Sequence, residues 1–81
     1  MSEEQAMKEL IEYVAKAIVD NPEAVVVRMV SNADMIVVRL SVAPDDMGKV
    51  IGRQGRVAQA MRTLLRVASI RRGTRAVLEI E

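Results

Sequence analysis

The sequence contains no cysteine and no histidine. Without thiols there is neither a disulfide framework nor a thiolate metal site. Without imidazole, the usual general base and the commonest metal ligand are gone. Aromatic residues are almost absent too: Tyr13 stands alone, with no Phe and no Trp. Stacking a planar ligand on an aromatic ring is therefore a contact this chain can hardly make. No apolar run approaches the length of a membrane span, and the opening MSEEQAMKEL is acidic where a secretion signal is basic, then apolar. These absences lead to the expectation of a cytoplasmic, cofactor-free protein that binds and does not catalyse. A nucleophile here would need Lys or a carboxylate as its base, and the adjacent Asp45 and Asp46 read as helix-start residues, pointing apart, rather than as a catalytic pair.

What is present suits one small soluble domain spanning residues 1–81, with 51% apolar and 28% charged side chains. The net charge is only +1, but its distribution is uneven. Residues 1–46 carry four basic and nine acidic side chains, a net −5; residues 47–81 carry eight basic and two acidic ones, a net +6. No acid occurs between Met47 and Leu78. Segregation of this kind places a positive face beside a neutral or negative one, and a positive face attracts phosphates. Composition alone equally allows a few solvated arginines on a helix.

Met7, Leu10, Ile11, Val14 and Ile18 recur at helical spacing and predict an amphipathic helix over 2–20, stopped at DNPE by Pro22. AVVVRMV (24–30) and MIVVRLSV (35–42) are rich in β-branched residues, and SNAD between them has turn chemistry, so they predict an antiparallel hairpin. Ile36, Val38, Leu40 and Val42 share one face of its second strand, with Arg39 and Ser41 on the other. APDDMGKVIG predicts a short helix with Pro44 at its start, Asp45 and Asp46 at the positive end of its dipole, and Gly52 closing it in a left-handed conformation. Gly48 within that helix implies close packing or close approach of a ligand. A longer helix follows over 56–70, then a break at RRG and a final strand over 74–80. On the long helix Val57, Ala58, Ala60, Met61, Leu64, Leu65, Val67 and Ala68 cover about half the circumference, more than the ~100° stripe of one core contact. The excess implies a partner subunit, a ligand groove, or deep burial under the sheet. Gln59, Arg62, Thr63, Arg66 and Ser69 fall on the polar side, where Arg62 and Arg66 read as solvated. Arg71 and Arg72 suit the negative end of that helix.

The tetrapeptide Gly52-Arg53-Gln54-Gly55 between the two helices allows backbone to approach a ligand closely. The first N–H groups of the following helix lack intrahelical partners and form a site for an anion. Lys49, Arg53 and Arg56 add positive charge within one or two turns. Amides with flanking cations suit a nucleic-acid backbone. The glycine spacing fits neither a dinucleotide fingerprint nor a P-loop, since Val50 follows Lys49 where Ser or Thr is needed.

LIEYVAKAIVDNPEAV, PDDMGKVIGRQGR and AMRTLLRVAS together cover most of the chain. On these stretches it resembles a type II KH domain, and more narrowly the small single-KH RNA-binding proteins of bacteria, the KhpA (YlqC) family. Many relatives carry a lysine in the variable pair of the glycine loop, where this chain has Arg53-Gln54. The resemblance implies an α+β fold in the order α-β-β-α-α-β, a three-stranded sheet with helices packed on one face. It implies binding of single-stranded RNA along a groove beside the loop. Gly52, Arg53, Gln54 and Gly55 would grip the sugar-phosphate backbone, Lys49 and Arg56 would neutralise phosphates, and Ile51, Val57 and Ala60 would form an apolar floor. With Tyr13 the sole aromatic, modest affinity and loose sequence preference are expected. The family further implies a post-transcriptional regulator or RNA chaperone linked to cell elongation and division. A homodimer, or a pairing with a larger KH-containing protein of the Jag/KhpB type, goes with it. The other reading is an interaction module in which RNA is secondary.

Overall fold

Helix α1 (Glu3–Ile18) starts at Ser2, whose Oγ accepts the N–H of Gln5 at 3.0 Å, and Glu3 and Glu4 occupy the dipole's positive end. In the computed structural model, which describes residues 2–31, 34–71 and 73–81, this helix ends two residues earlier than the periodicity suggested. Val19 is already extended, and Pro22–Ala24 forms a tight 3-10 turn. Met7, Ile11 and Ala15 form its buried stripe.

Three strands follow the expected order: β1 (Val26–Ser31), β2 (Met35–Ser41) and β3 (Arg75–Ile80). β2 lies in the middle, antiparallel to β1 (Val27 opposite Leu40) and parallel to β3 (Val38 opposite Leu78). Alternation then decides which side is covered. Val27, Ile36, Val38, Leu40 and Leu78 are buried and join the helices in one core, while Val26, Arg28, Val30, Arg39 and Glu79 are exposed on the other face. Helices therefore cover one face of the sheet, as the type II KH arrangement requires. Residues 32 and 33 of the SNAD turn, and Arg72 of the RRG break, lie outside the described residues.

The connection from β2 to β3 carries the glycine turn. A 3-10 turn at Pro44–Asp46 leads into α2 (Met47–Ile51), and α3 (Arg56–Ile70) runs back along the sheet. On α3 the buried positions are Ala58, Met61, Leu65 and Ser69. A side chain the size of Leu65, fully buried, contributes about 1.5–3 kcal/mol. Ser69 is a correction to the sequence reading, which put it on the polar side. At ~100° per residue it falls in line with Ala58 and Leu65, and its hydroxyl is satisfied by donating to the Arg66 carbonyl at 2.9 Å. The excess apolar width of α3 is not consumed by the core: Ala60, Leu64 and Val67 stay exposed. At Gly48 a Cβ would meet nothing within 4 Å, so of the two expected reasons for glycine there, close packing is excluded and close approach of a ligand is not.

Candidate nucleic-acid interface

Each residue of the glycine turn does a separate job. Gly52 ends α2 with φ 78° and ψ 173°, the mirror image of an extended residue and not the left-handed helical conformation expected of a helix stop. Only glycine tolerates that region, and here a second constraint is added. A Cβ at Gly52 would lie 2.5 Å from Val57 Cγ2 and 2.9 Å from the Val57 backbone nitrogen. The turn is thus pressed against the first turn of α3. Gln54 (φ 57°, ψ 26°) and Gly55 (φ 74°, ψ 14°) then take left-handed conformations in succession and swing the chain into the helix.

The amides of the turn are distributed differently from the sequence expectation. The N–H of Gly55 donates to the Gly52 carbonyl at 3.1 Å, and the N–H of Arg56 donates to the Arg53 carbonyl. The opening amides at Gly55 and Arg56 are therefore used within a 3-10 turn, which tightens the helix start. Among the described residues, the N–H groups of Arg53 and Gln54, at the apex, take no part in these turn hydrogen bonds. Arg53 and Arg56 are exposed, and neither has a carboxylate within ion-pair distance among the described residues.

Lys49 is situated otherwise. Its ammonium donates to Asp20 Oδ2 at 2.6 Å and lies 3.8 Å from Asp46 Oδ1. The hydrogen bond to Asp20, reinforced by both carboxylate charges, outweighs partial desolvation and raises its pKa above the ordinary 10.5. Asp46, expected to complement the helix dipole, is fully buried. It accepts from the N–H of Asp20 (3.1 Å), the N–H of Asn21 (3.0 Å) and the side-chain amide of Asn21 (2.9 Å). Burial pushes its carboxyl up; the hydrogen bonds from Asn21 and Asp20, with the charge of Lys49, prevail and hold it below the ordinary 3.8. One carboxylate thereby ties the end of α1 to the start of α2, the element that carries the glycine turn.

Of the proposed apolar floor, Ile51 is exposed beside Gly52, and Val57 is half-buried directly beneath it. Ala60 is exposed one turn further on, at helical spacing from Leu64 and Val67, of which Val67 borders the groove between α3 and α1. Arg62 and Arg66 occupy the opposite flank, exposed as the polar-side reading had them, and line an open groove against β3. Periodicity on one helix could not show this, because the second wall comes from a strand beyond the RRG break.

With this geometry in hand, comparison with known proteins is decisive for kinship. The family model described as "KhpA/KhpB, KH domain" matches residues 8–80. The chain belongs to that family. It is 51% identical over 74 residues to the "RNA-binding protein KhpA" of Caldanaerobacter subterraneus subsp. tengcongensis, covering 91% of this chain and 99% of that protein. It is 50% identical to the protein of the same name in Clostridium perfringens, with the same coverage. To that in Aquifex aeolicus it is 44% identical over 75 residues, 93% of this chain and 95% of the other. No solved structure matches the chain. Among the described residues no helix is long and apolar enough to cross a membrane, and no group of His, Cys, Asp and Glu could hold a metal ion.

Proposed function

We infer that this KhpA/KhpB-family chain binds single-stranded RNA, holding the strand at the glycine turn. The observation that carries this reading is the turn itself. Gly52 is flush against Val57, and among the described residues the apex amides of Arg53 and Gln54 take no part in the turn's hydrogen bonds and the Arg53 and Arg56 guanidiniums have no carboxylate in ion-pair range. Relatives of this size and similarity are named RNA-binding proteins. Phosphates meet Arg53, Arg56 and the apex amides, while Ile51 and Val57 offer an apolar surface to a base. Ala60 adds to that surface only where the strand crosses the start of α3. Lys49 contributes its charge by leaving Asp20, a solvent-exposed partner whose hold is weakened by screening. With hardly any aromatic surface, contact is by clamping and van der Waals packing, so affinity is modest and sequence preference loose. A role as post-transcriptional regulator or RNA chaperone in cell elongation and division accords with the family.

Charge reversal at the apex tests the reading. Asp is well tolerated in the left-handed region that Gln54 occupies, so Arg53→Asp with Gln54→Asp retains the fold. Ultraviolet crosslinking of this variant to RNA should fall at least tenfold, with an unchanged circular dichroism spectrum. Undiminished crosslinking by the folded variant sinks the reading.

A second reading has its own support. Leu64 and Val67 are exposed at 42% and 61%, and Val67, with Leu10 and Ala68, borders a mainly apolar groove of about 270 Å³ between α1 and α3. This surface suits a second copy of the chain or a larger KH-containing protein of the KhpB type. Association through it is compatible with RNA binding at the turn, and under this reading it is the main activity.

A further inference from the structure

Of the three cations around the glycine turn, Lys49, Arg53 and Arg56, only Lys49 has a carboxylate within ion-pair distance among the described residues. Its partner, Asp20, comes from a distant part of the chain, the loop that follows α1. Nζ and Oδ2 lie 2.6 Å apart, yet both side chains are open to solvent, that of Asp20 at 75%. Asp46 lies 3.8 Å from the same ammonium, but it is fully buried and already accepts the N–H of Asp20 and two donors of Asn21. It is fixed, and it holds the α1 loop against the start of α2. The backbone therefore places Asp20 beside Lys49, and that placement does not depend on the ion pair itself.

Lys49 stands three residues before Gly52, one helical turn away on the same side of α2. Its four-carbon stem is flexible, so rotation of the side chain alone carries the ammonium from Asp20 towards the turn. Gly48 beside it presents no side chain, and a Cβ there would meet nothing within 4 Å, so the approach along α2 is open. A phosphate and the Asp20 carboxylate are both oxyanions, and one ammonium serves either. Because the pKa of Lys49 is raised by its hydrogen bond to Asp20, the ammonium keeps its proton at neutral pH, and the contest is between the two anions.

We propose that Asp20 is an internal competitor of the RNA, occupying Lys49 in the free protein until a strand phosphate displaces it. The proposal rests on the reading of a strand held at the glycine turn and adds to it a residue that lowers affinity there. The charge on offer in the free protein is then that of two guanidiniums, and the third cation is released only on contact.

The test measures binding of a four-nucleotide oligouridylate by fluorescence anisotropy over a range of salt. Asp20→Asn keeps the backbone N–H that Asp46 accepts and removes only the charge. The control is Asp45→Asn, the same change at an exposed acid of the neighbouring 3-10 turn that has no ion pair among the described residues. Asp20→Asn should bind about fivefold more tightly than the wild type, the upper end of what an exposed pair contributes. Asp45→Asn should stay within about twofold, because salt screens an exposed charge that makes no contact. In a Lys49→Gln background the gain from Asp20→Asn should shrink to that of the control, since no ammonium is left to release. The salt slope of Asp20→Asn should match that of the wild type, because the final complex neutralises the same phosphates. Equal gains from Asp20→Asn and Asp45→Asn overturn the proposal, as does a gain that persists in full without Lys49. So does a slope steeper by about 0.7, which would mean that Lys49 stays on Asp20 in the wild-type complex. The glycine-turn reading fails separately, when Arg53→Asp/Gln54→Asp leaves binding intact. The coupling between Asp20 and Lys49 then decides the competition by itself.

Discussion

Gly52 and Gly55 look equivalent in the motif and differ in what they resist. Gly55 is left-handed with open space where a Cβ would go, so alanine there costs about 1–2 kcal/mol of conformational energy and little else. Gly52 combines a glycine-only conformation with a Cβ position inside contact distance of the Val57 backbone, which cannot swing away as a side chain end can. Gly52→Ala should therefore cost about 3 kcal/mol or more, as strain and overpacking add. Urea denaturation of the two variants checks the order. Equal losses would mean that the contact with Val57 relaxes freely and that the turn is not held by it.

Between elements, Asp46 does what no helix propensity reveals. It is a buried acid whose three donors all come from the loop that ends α1. Because its folded-state pKa is depressed, its contribution is complete above the ordinary value near 3.8 and is lost as the pH falls through the folded value. Lys49 has the opposite sign: raised above 10.5, it contributes fully below that value and loses its part only at higher pH. The melting temperature should be flat from pH 6 to 9 on account of this pair and fall below about pH 4. Asp46→Asn turns an NH₂ towards donors; it should lower the neutral-pH melting temperature by about 10 °C and flatten the acid limb. A wild-type acid limb retained in the variant would assign the effect to other carboxylates. The sequence made the elements legible because the alternation in β2 and the apolar periods of α1 and α3 are strong. It also located the glycine turn, since glycine spacing is local. It could not show that Asp46 faces the α1 loop, that the amides of Gly55 and Arg56 are used within the turn, or that Arg62 and Arg66 face β3. Each depends on a contact between segments far apart in the chain, and Ser69 was misplaced because one polar residue on an apolar stripe looks like the stripe's edge.

In the whole molecule, α3 divides the surface. Leu64 and Val67 share one exposed flank, whose Val67 borders the groove to α1, and Arg62 and Arg66 share another, which borders β3. Leu64→Arg with Val67→Arg should convert any dimer to monomer in sedimentation velocity while leaving the fold intact, because both side chains are exposed. Leu65, adjacent to Leu64 in the chain but fully buried on the core stripe of α3, would report on folding instead. A dimer that persists in the double variant would place self-association elsewhere on the protein. If two copies do pair through the Leu64–Val67 flank, each keeps its own glycine turn, and the assembly becomes a two-handed RNA ligand. A transcript long enough to reach both hands would then bind by effective concentration, with gains of about 10²–10⁴ over one hand. Short fragments would register none of this. Selectivity among transcripts would come less from which bases fit a groove than from how far apart two unpaired stretches lie on the same RNA.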